Sequence, residues 1–366
     1  MTIALLTSSM DGGGAQRAIA KLAAGIAGTG REVDLVLAHA RGPYLAELPP
    51  QVRVVDLGVS RLAAAVLPLA RYLRARRPDA LLSALDYVNV VAVLARAVSR
   101  SGVPLVVSER NTLSAAVAHT RNRSTRWMPR LLRLAYPHAD AVVAVSRGVA
   151  EDLESLCGLT AGSVRVLDNP VVTPELVRMR EEPVEHPWLR DRTVPVVLAV
   201  GRLVPQKDFG TLLDAFGRVR RERPARLVVL GEGPMRSQLQ EQCARLGITE
   251  DVSLPGFCAN PYPAMAAADV FVLSSRFEGS PGALIEAMSC GTPVVATDCP
   301  SGPRELLAGG RHGRLVPVGD STTMAAGILD ALAGRVAPPP VESWRRYEQA
   351  SVVDACLALL AEVRTR

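Results

Sequence analysis

Short aliphatic and β-branched runs alternate with longer amphipathic stretches along nearly the whole chain, and few folds can accommodate that rhythm. It is the pattern of a parallel sheet whose two faces are covered by helices. In the first half, strands are expected at 3–7, 33–38, 52–56, 80–83, 105–107, 141–145 and 164–167, with helices at 15–27, 62–76, 88–98 and 147–155. After Asn169-Pro170 comes a Pro- and Glu-rich stretch without apolar period, which reads as a linker. The rhythm then starts afresh with strands at 195–200, 227–230, 252–254, 270–273, 293–296 and 314–316. Helices are expected between them at 209–220, 235–246 and 284–289. The run Ala337-Pro338-Pro339-Pro340 closes this part and leaves 342–363 as a terminal helix. The expected organisation is a first domain at 1–170, a linker at 171–191, a second domain at 192–341 and a closing helical segment at 342–366. In open α/β sheets of this kind, ligands bind outside the carboxyl ends of the strands, so the cleft between two such domains is the expected site.

A length of 366 residues suits two such domains, each large enough for its own core. The net charge of +6 is confined to the first half, since residues 191–366 carry equal numbers of acidic and basic side chains. Only Lys21 and Lys207 are lysines, so the basic surface is arginine. The six cysteines are scattered without a C-x-x-C pair, which points to reduced thiols and away from a zinc site or disulfide framework. The start, MTIALLTSSM, has neither the cationic flank nor the apolar length of a signal peptide. The longest uncharged run, 252–268, contains three prolines and is no spanning helix.

Several glycine turns fall where strands give way to helices. Asp11-Gly12-Gly13-Gly14-Ala15-Gln16 follows the first strand, and its glycines let a phosphate approach the backbone and the free N–H groups of a helix start. A plain tight turn explains it equally well, and Arg17 breaks the dinucleotide pattern G-x-G-x-x-G. The segment 201–209, GRLVPQKDF, puts Arg202 and Lys207 at the end of the second half's first strand, where two cations can neutralise a diphosphate, although a solvated loop is the plain alternative. Gly231 and then Gly256-Phe257 end the next two strands and offer edges against which a flat base can lie.

The strongest signal is the stretch 274–288, SSRFEGSPGALIEAM. Glu278 precedes a helix and Glu286 lies within it, while Gly279, Ser280, Gly282, Ala283 and Leu284 span an anion-ready helix start with Pro281 in its first turn. Phosphate suits such a start, and flanking carboxylates accept hydrogen bonds from sugar hydroxyls. The plain alternative is that Glu286 pairs locally and Glu278 is solvated.

With GGGAQ, DAVVAVSRGVAEDL, NPVV, GRLVPQKDF, VVLGEGP, the Glu278–Glu286 spacing, EAMSCGTPVVATD and SGPREL, the chain resembles the retaining glycosyltransferases of family 4, which have the GT-B fold. The resemblance implies an α/β architecture of two facing Rossmann-like domains, with the terminal helix crossing back to the first. It implies that Glu286 binds the nucleotide ribose and Glu278 the donor sugar. Arg202 and Lys207 then hold the diphosphate beside Gly13 and Gly14, with backbone donors at Gly282 and Ala283; Glu278, Arg202 and Lys207 form the catalytic set. The donor expected is a nucleotide-diphosphate sugar, UDP above all. No D-x-D occurs, so neither a metal nor another cofactor is expected. A sugar-nucleotide epimerase of the same architecture and a non-catalytic nucleotide-sugar binder are the rivals.

Where many relatives carry a histidine, this chain reads Ser108-Glu109-Arg110-Asn111, and His119 follows ten residues after Glu109. That form resembles a subgroup acting on polyprenyl-diphosphate-linked oligosaccharides and surface polysaccharides, which implies a lipid-linked saccharide acceptor. From Arg110 to Ala139 there are six arginines and no acid, and Arg123, Arg126, Arg130 and Arg133 have helical spacing. Glu109, Arg110, Asn111, Arg123, Arg126 and Arg130 are therefore candidates for the acceptor's diphosphate or for an anionic membrane surface, with a solvated basic face as the alternative. Nucleic acid fits poorly, because aromatic residues make up only 4% and Trp127 alone interrupts the helical part of this run. The expected location is cytoplasmic, peripheral on the inner face of the plasma membrane.

Overall fold

The computed structural model describes residues 1–11, 13–119 and 123–365, apart from the side chains at 119 and 123–125. Gly12, Arg121 and the side chains of His119 and Arg123 thus lie outside the described residues. The chain forms two units, Met1–Val171 with Tyr347–Arg366 and Val172–Arg346.

In the first unit, β1 (Thr2–Thr7), β2 (Glu32–Leu37), β3 (Val52–Asp56), β4 (Ala80–Ala84), β5 (Leu105–Glu109), β6 (Ala141–Ala144) and β7 (Arg165–Val166) form a parallel sheet in the order β3-β2-β1-β4-β5-β6-β7. Alternation along the strands sends Ile3, Leu5 and Val106 into one core and Ala4, Leu6 and Val107 into the other. One core is closed by the helices Val66–Arg76, Asp86–Ser99 and Arg123–Ala135. The other is closed by Gly14–Gly28 and by the terminal helix Gln349–Arg364, whose Val352, Val353, Cys356 and Leu360 are buried there. That contact explains Gly25: a Cβ on it would stand 2.7 Å from Val353 Cγ2, so the two helices meet only across a glycine. The amide of Gln349 donates to the Lys21 carbonyl at 2.6 Å, and ion pairs Arg165–Glu362 and Arg364–Asp79 hold the far end. The helix begins at Gln349 and not at 342, because the preceding residues form the short 3-10 turns Val341–Ser343 and Arg345–Tyr347.

The second unit holds β8 (Val196–Val200), β9 (Arg226–Leu230), β10 (Val252–Gly256), β11 (Val270–Leu273), β12 (Val294–Thr297) and β13 (Arg314–Val316) in the parallel order β10-β9-β8-β11-β12-β13. Residues 172–191, read from sequence as a linker, belong to this unit and carry two short helices. Pro174–Met179 and Pro187–Asp191 each open on a proline behind a capping side chain, Thr173 and His186. Their shortness removes any apolar period, which is why composition alone reads them as irregular. In each sheet the strand order reverses once, between β1 and β4 and between β8 and β11. The carboxyl ends flanking those two points are where a doubly wound sheet opens a crevice for a ligand.

Candidate functional site

In the second unit, the reversal point brings the loop after β8 beside the loop after β11. Arg276 N–H donates to the Gln206 carbonyl at 2.8 Å, and the Gln206 amide returns a bond to the Phe277 carbonyl at 2.9 Å. Ser274 Oγ donates to the Lys207 carbonyl at 2.7 Å. These bonds clamp the 3-10 turn Pro205–Lys207 against 274–277 and fix where Lys207 points. Its Nζ lies 2.6 Å from Glu278 Oε1, and Ser275 Oγ donates to the same oxygen at 2.6 Å. The Glu278 side chain is only 8% exposed and that of Lys207 19%, so the pair sits in a partly desolvated setting where its charges are weakly screened. Behind it, Thr297 Oγ1 donates to the Ser275 carbonyl at 2.6 Å.

Asp208 follows in the left-handed region at φ 48 and pairs with Arg276 at 3.1 Å. That turn directs Lys207 and Asp208 to different partners although they are adjacent. Arg202 stands just past β8, exposed, and makes no ion pair among the described residues. The helix Gly282–Ser289 starts beside Glu278, and around Gly282 nothing stands within 4 Å of where a Cβ would be. The helix start is thus open on the Gly282 side, with Gly279 and Ser280 leading in, Ala283 partly exposed and Leu284 buried with its N–H donated to the Pro281 carbonyl at 3.0 Å. Glu286 is buried one turn further along and accepts from the Tyr262 hydroxyl at 3.4 Å.

The adjoining edge is made by backbone. Gly231 N–H donates to the Gly256 carbonyl at 2.8 Å, and Leu203 N–H donates to the Glu232 carbonyl at 2.8 Å. A Cβ on Gly231 would fall 1.9 Å from the Gly201 carbonyl oxygen, so this crossing admits glycine alone. Phe257, next to Gly256, is 79% exposed and offers a ring face without protein cover. The arrangement therefore presents two cations, an open helix start and two buried carboxylates around one sheet reversal. Chemically it can hold a diphosphate and accept hydrogen bonds from hydroxyl groups.

The family described as Glycosyltransferase Family 4 matches residues 12–174, and that described as Glycosyl transferases group 1 matches residues 194–334. The N-acetylgalactosamine-N,N'-diacetylbacillosaminyl-diphospho-undecaprenol 4-alpha-N-acetylgalactosaminyltransferase of Campylobacter jejuni is 30% identical over 335 residues, covering 88% of each chain. This chain belongs to glycosyltransferase family 4. The lipopolysaccharide core biosynthesis glycosyltransferase LpsE of Rhizobium meliloti is 31% identical over 236 residues, 63% of this chain and 66% of its own. Among solved structures, Anabaena HepE in complex with UDP-glucose superposes with a TM-score of 0.79 at 22% identity, over 99% of this chain and 100% of that one. Sucrose-phosphate synthase from Thermosynechococcus elongatus gives 0.82 at 18% identity, over 99% and 98%. The fold of the transferase is thus GT-B.

In the transferase's first unit the candidate residues separate. Gly13 caps the helix Gly14–Gly28, and Gly14 is exposed with open space where a Cβ would be. Glu109, expected from sequence to meet the acceptor, is buried, because the alternation along β5 continues to its last residue and turns Glu109 toward the same core as Val107. It accepts hydrogen bonds from the Tyr136 hydroxyl and from Asn89 Nδ2, the latter at 3.1 Å. Burial, reinforced by the nearby Asp86 carboxylate, pushes the Glu109 carboxyl up to about 8 despite those bonds. Tyr136 is pushed well above its ordinary value, chiefly by burial and then by Glu109.

Arg110 is buried as well, with Nη1 donating to Asn169 Oδ1 at 2.5 Å, and burial lowers its pKa to about 10. Asn111, Arg126 and Arg130 are exposed. All six cysteines are free thiols.

Sequence reasoning passed over Ser274, Ser275, Asp208, Tyr136 and Asn89. The two serines lay inside the recognised motif, and hydroxyls directly after a strand at a reversal point are a usable signal. Nothing local marks Tyr136 or Asn89, which meet Glu109 only through the packing of two helices on β5.

Proposed function

We propose that this transferase moves a hexose or N-acetylhexosamine from a UDP-sugar to a saccharide carried on a lipid diphosphate, with retention of configuration and without a metal ion. The observation that carries the reading is the Lys207–Glu278 pair, 2.6 Å apart, beside the open helix start at Gly282. Arg202, Lys207 and the N–H groups of Gly282 and Ala283 take the diphosphate. Glu286 accepts from the ribose hydroxyls and Glu278 from the donor sugar. Gly231, Gly256 and Phe257 border the base.

In the reaction, the bond from the sugar's anomeric carbon to the β-phosphate oxygen breaks. The acceptor hydroxyl oxygen bonds that carbon on the same face, and its proton passes to the departing diphosphate oxygen. Negative charge grows on the diphosphate as the bond breaks, so fixed cations and backbone dipoles stabilise the transition state more than the bound donor. Those cations supply the charge a divalent metal would otherwise bring. The lipid-linked acceptor is favoured by the Campylobacter relative, whose name specifies a diphospho-undecaprenol substrate. A place on the cytoplasmic side of the plasma membrane follows for such an acceptor, with Arg123, Arg126 and Arg130 drawn to an anionic surface; no helix among the described residues is long and apolar enough to cross a membrane.

The test is incubation of a UDP-sugar panel with polyprenyl-diphosphate-linked saccharides in excess chelator, with the product's anomeric configuration read by NMR. An α-linked lipid product supports the reading. A strict metal requirement, an inverted linkage, or conversion of UDP-sugar alone to an isomer contradicts it.

A further inference from the structure

The chain leaves β11 through two serines whose hydroxyls serve different partners. Ser274 Oγ donates to the Lys207 carbonyl at 2.7 Å and fixes the backbone that carries the cation. Ser275 Oγ donates to Glu278 Oε1 at 2.6 Å, the same oxygen that Lys207 Nζ meets at 2.6 Å. Ser275 is fully buried, and so is Thr297 at the end of β12. Thr297 Oγ1 donates to the Ser275 carbonyl at 2.6 Å and reaches the Leu273 carbonyl at 3.4 Å, which ties the backbone around Ser275 to the neighbouring strand. A buried hydroxyl is costly unless it is bonded, and a bond to a charged acceptor is about twice as strong as one between neutral groups. The Ser275 hydroxyl is committed to the Glu278 carboxylate.

The two groups that donate to Oε1 respond differently to an arriving diphosphate. Lys207 Nζ ends a flexible four-carbon stem, and its side chain is 19% exposed. A diphosphate carries more negative charge than one carboxylate, so it draws the ammonium group away from Glu278. Ser275 is uncharged, its backbone is held by Thr297, and its hydroxyl stays where it is. When Lys207 turns, Ser275 remains to hold Oε1, and with it the plane of the carboxylate. Without that hold, a carboxylate that has lost its cation swings about its own torsions at the moment it has to meet the sugar. Misorientation of a group at a reacting centre lowers rate steeply.

We propose that Ser275 is a positioning residue, which keeps Glu278 in its sugar-accepting orientation while Lys207 serves the diphosphate. Its hydroxyl touches no part of the donor and acts only through the carboxylate. The proposal rests on the reading above of Glu278 as the donor-sugar contact and Lys207 as a diphosphate contact. It adds the means by which one side chain is released without the other being lost.

The experiment measures kcat/KM for a UDP-sugar and calorimetric affinity for UDP in the full chain, in Ser275→Ala, in Glu278→Ala and in the double variant. UDP brings the diphosphate without the sugar, so it separates the two contacts. Ser275→Ala should lower kcat/KM roughly 10- to 100-fold, the worth of one hydrogen bond to a charged group, with UDP affinity unchanged. In the Glu278→Ala background the same substitution should cost nothing further, because its only route of action is gone. A loss of UDP affinity in step with kcat/KM would make Ser275 a plain support of the loops, or show a misfolded chain, and overturn the proposal. So would full kcat/KM in Ser275→Ala, or an undiminished loss from it when Glu278 is already absent. The single Glu278→Ala variant tells the two failures apart. If it is impaired while Ser275→Ala is not, the reading of Glu278 stands and this proposal falls; if it turns over like the parent, both fall.

Discussion

Replacing Glu109 by Gln should remove a pH dependence of stability from the first unit. The carboxyl is buried between β5 and two helices and keeps its proton up to about pH 8 in the folded chain, against an ordinary value near 4.5 when exposed. Asp86, Tyr136, Asn89, Arg110 and Cys157 are the polar and charged groups that bear on it. Between those two pH values the folded state holds a proton that the unfolded state has lost, so stability falls as pH rises. The slope is about 1.4 kcal/mol per pH unit, and the loss levels off above about pH 8. Across the whole window the difference is on the order of 5 kcal/mol, comparable with the net stability of a domain. Glutamine keeps an oxygen to accept from Tyr136 and Asn89 and has nothing to titrate. Urea unfolding followed at Trp127, the tryptophan of this unit, should therefore show Glu109→Gln gaining on the parent by about 1.4 kcal/mol per pH unit from pH 5 toward 8. Parallel profiles for the two proteins would refute the buried, protonated carboxyl.

Lys207→Ala should lower kcat by about 10²–10³ with a smaller change in donor affinity, since its charge matters most as the diphosphate departs; an equal rise in donor Kd with kcat unchanged would assign it to ground-state binding. Glu286→Ala should weaken donor binding by about tenfold or more in calorimetry, because ribose hydroxyls lose a charged acceptor, and unchanged affinity would remove it from the ribose site. Gly231→Ala should destabilise the second unit by at least about 2 kcal/mol, as its Cβ would fall 1.9 Å from the Gly201 carbonyl oxygen; an unchanged melting temperature would contradict that crossing.

Much of the fold was legible because each strand carries its own signature. Apolar runs such as 196–200 and 270–273 identify buried parallel strands without knowledge of their neighbours. The carboxyl ends of such strands are where a ligand is expected, which directs attention to 201–208 and 274–286, where the candidate donor residues lie. What could not be read was non-local. The Lys207–Glu278 pairing depends on β11 lying next to β8, and no local pattern says that a lysine and a glutamate 71 positions apart will share a carboxylate oxygen with Ser275. The burial of Glu109 was hidden for a different reason. The polar string Ser108-Glu109-Arg110-Asn111 looks like a surface loop, yet the strand's alternation continues through Glu109 and carries it inward. Leu85, at φ 88 directly after β4, has no sequence mark at all, since a β-position leucine gives no hint of a left-handed backbone.

The account depends most on where the donor's phosphates sit. A crystal structure with an intact UDP-sugar should place the diphosphate within hydrogen-bond reach of Arg202, Lys207 and the Gly282 and Ala283 amides, with the ribose on Glu286. A diphosphate bound away from the β8–β11 reversal point, with Lys207 still paired only to Glu278, would contradict it.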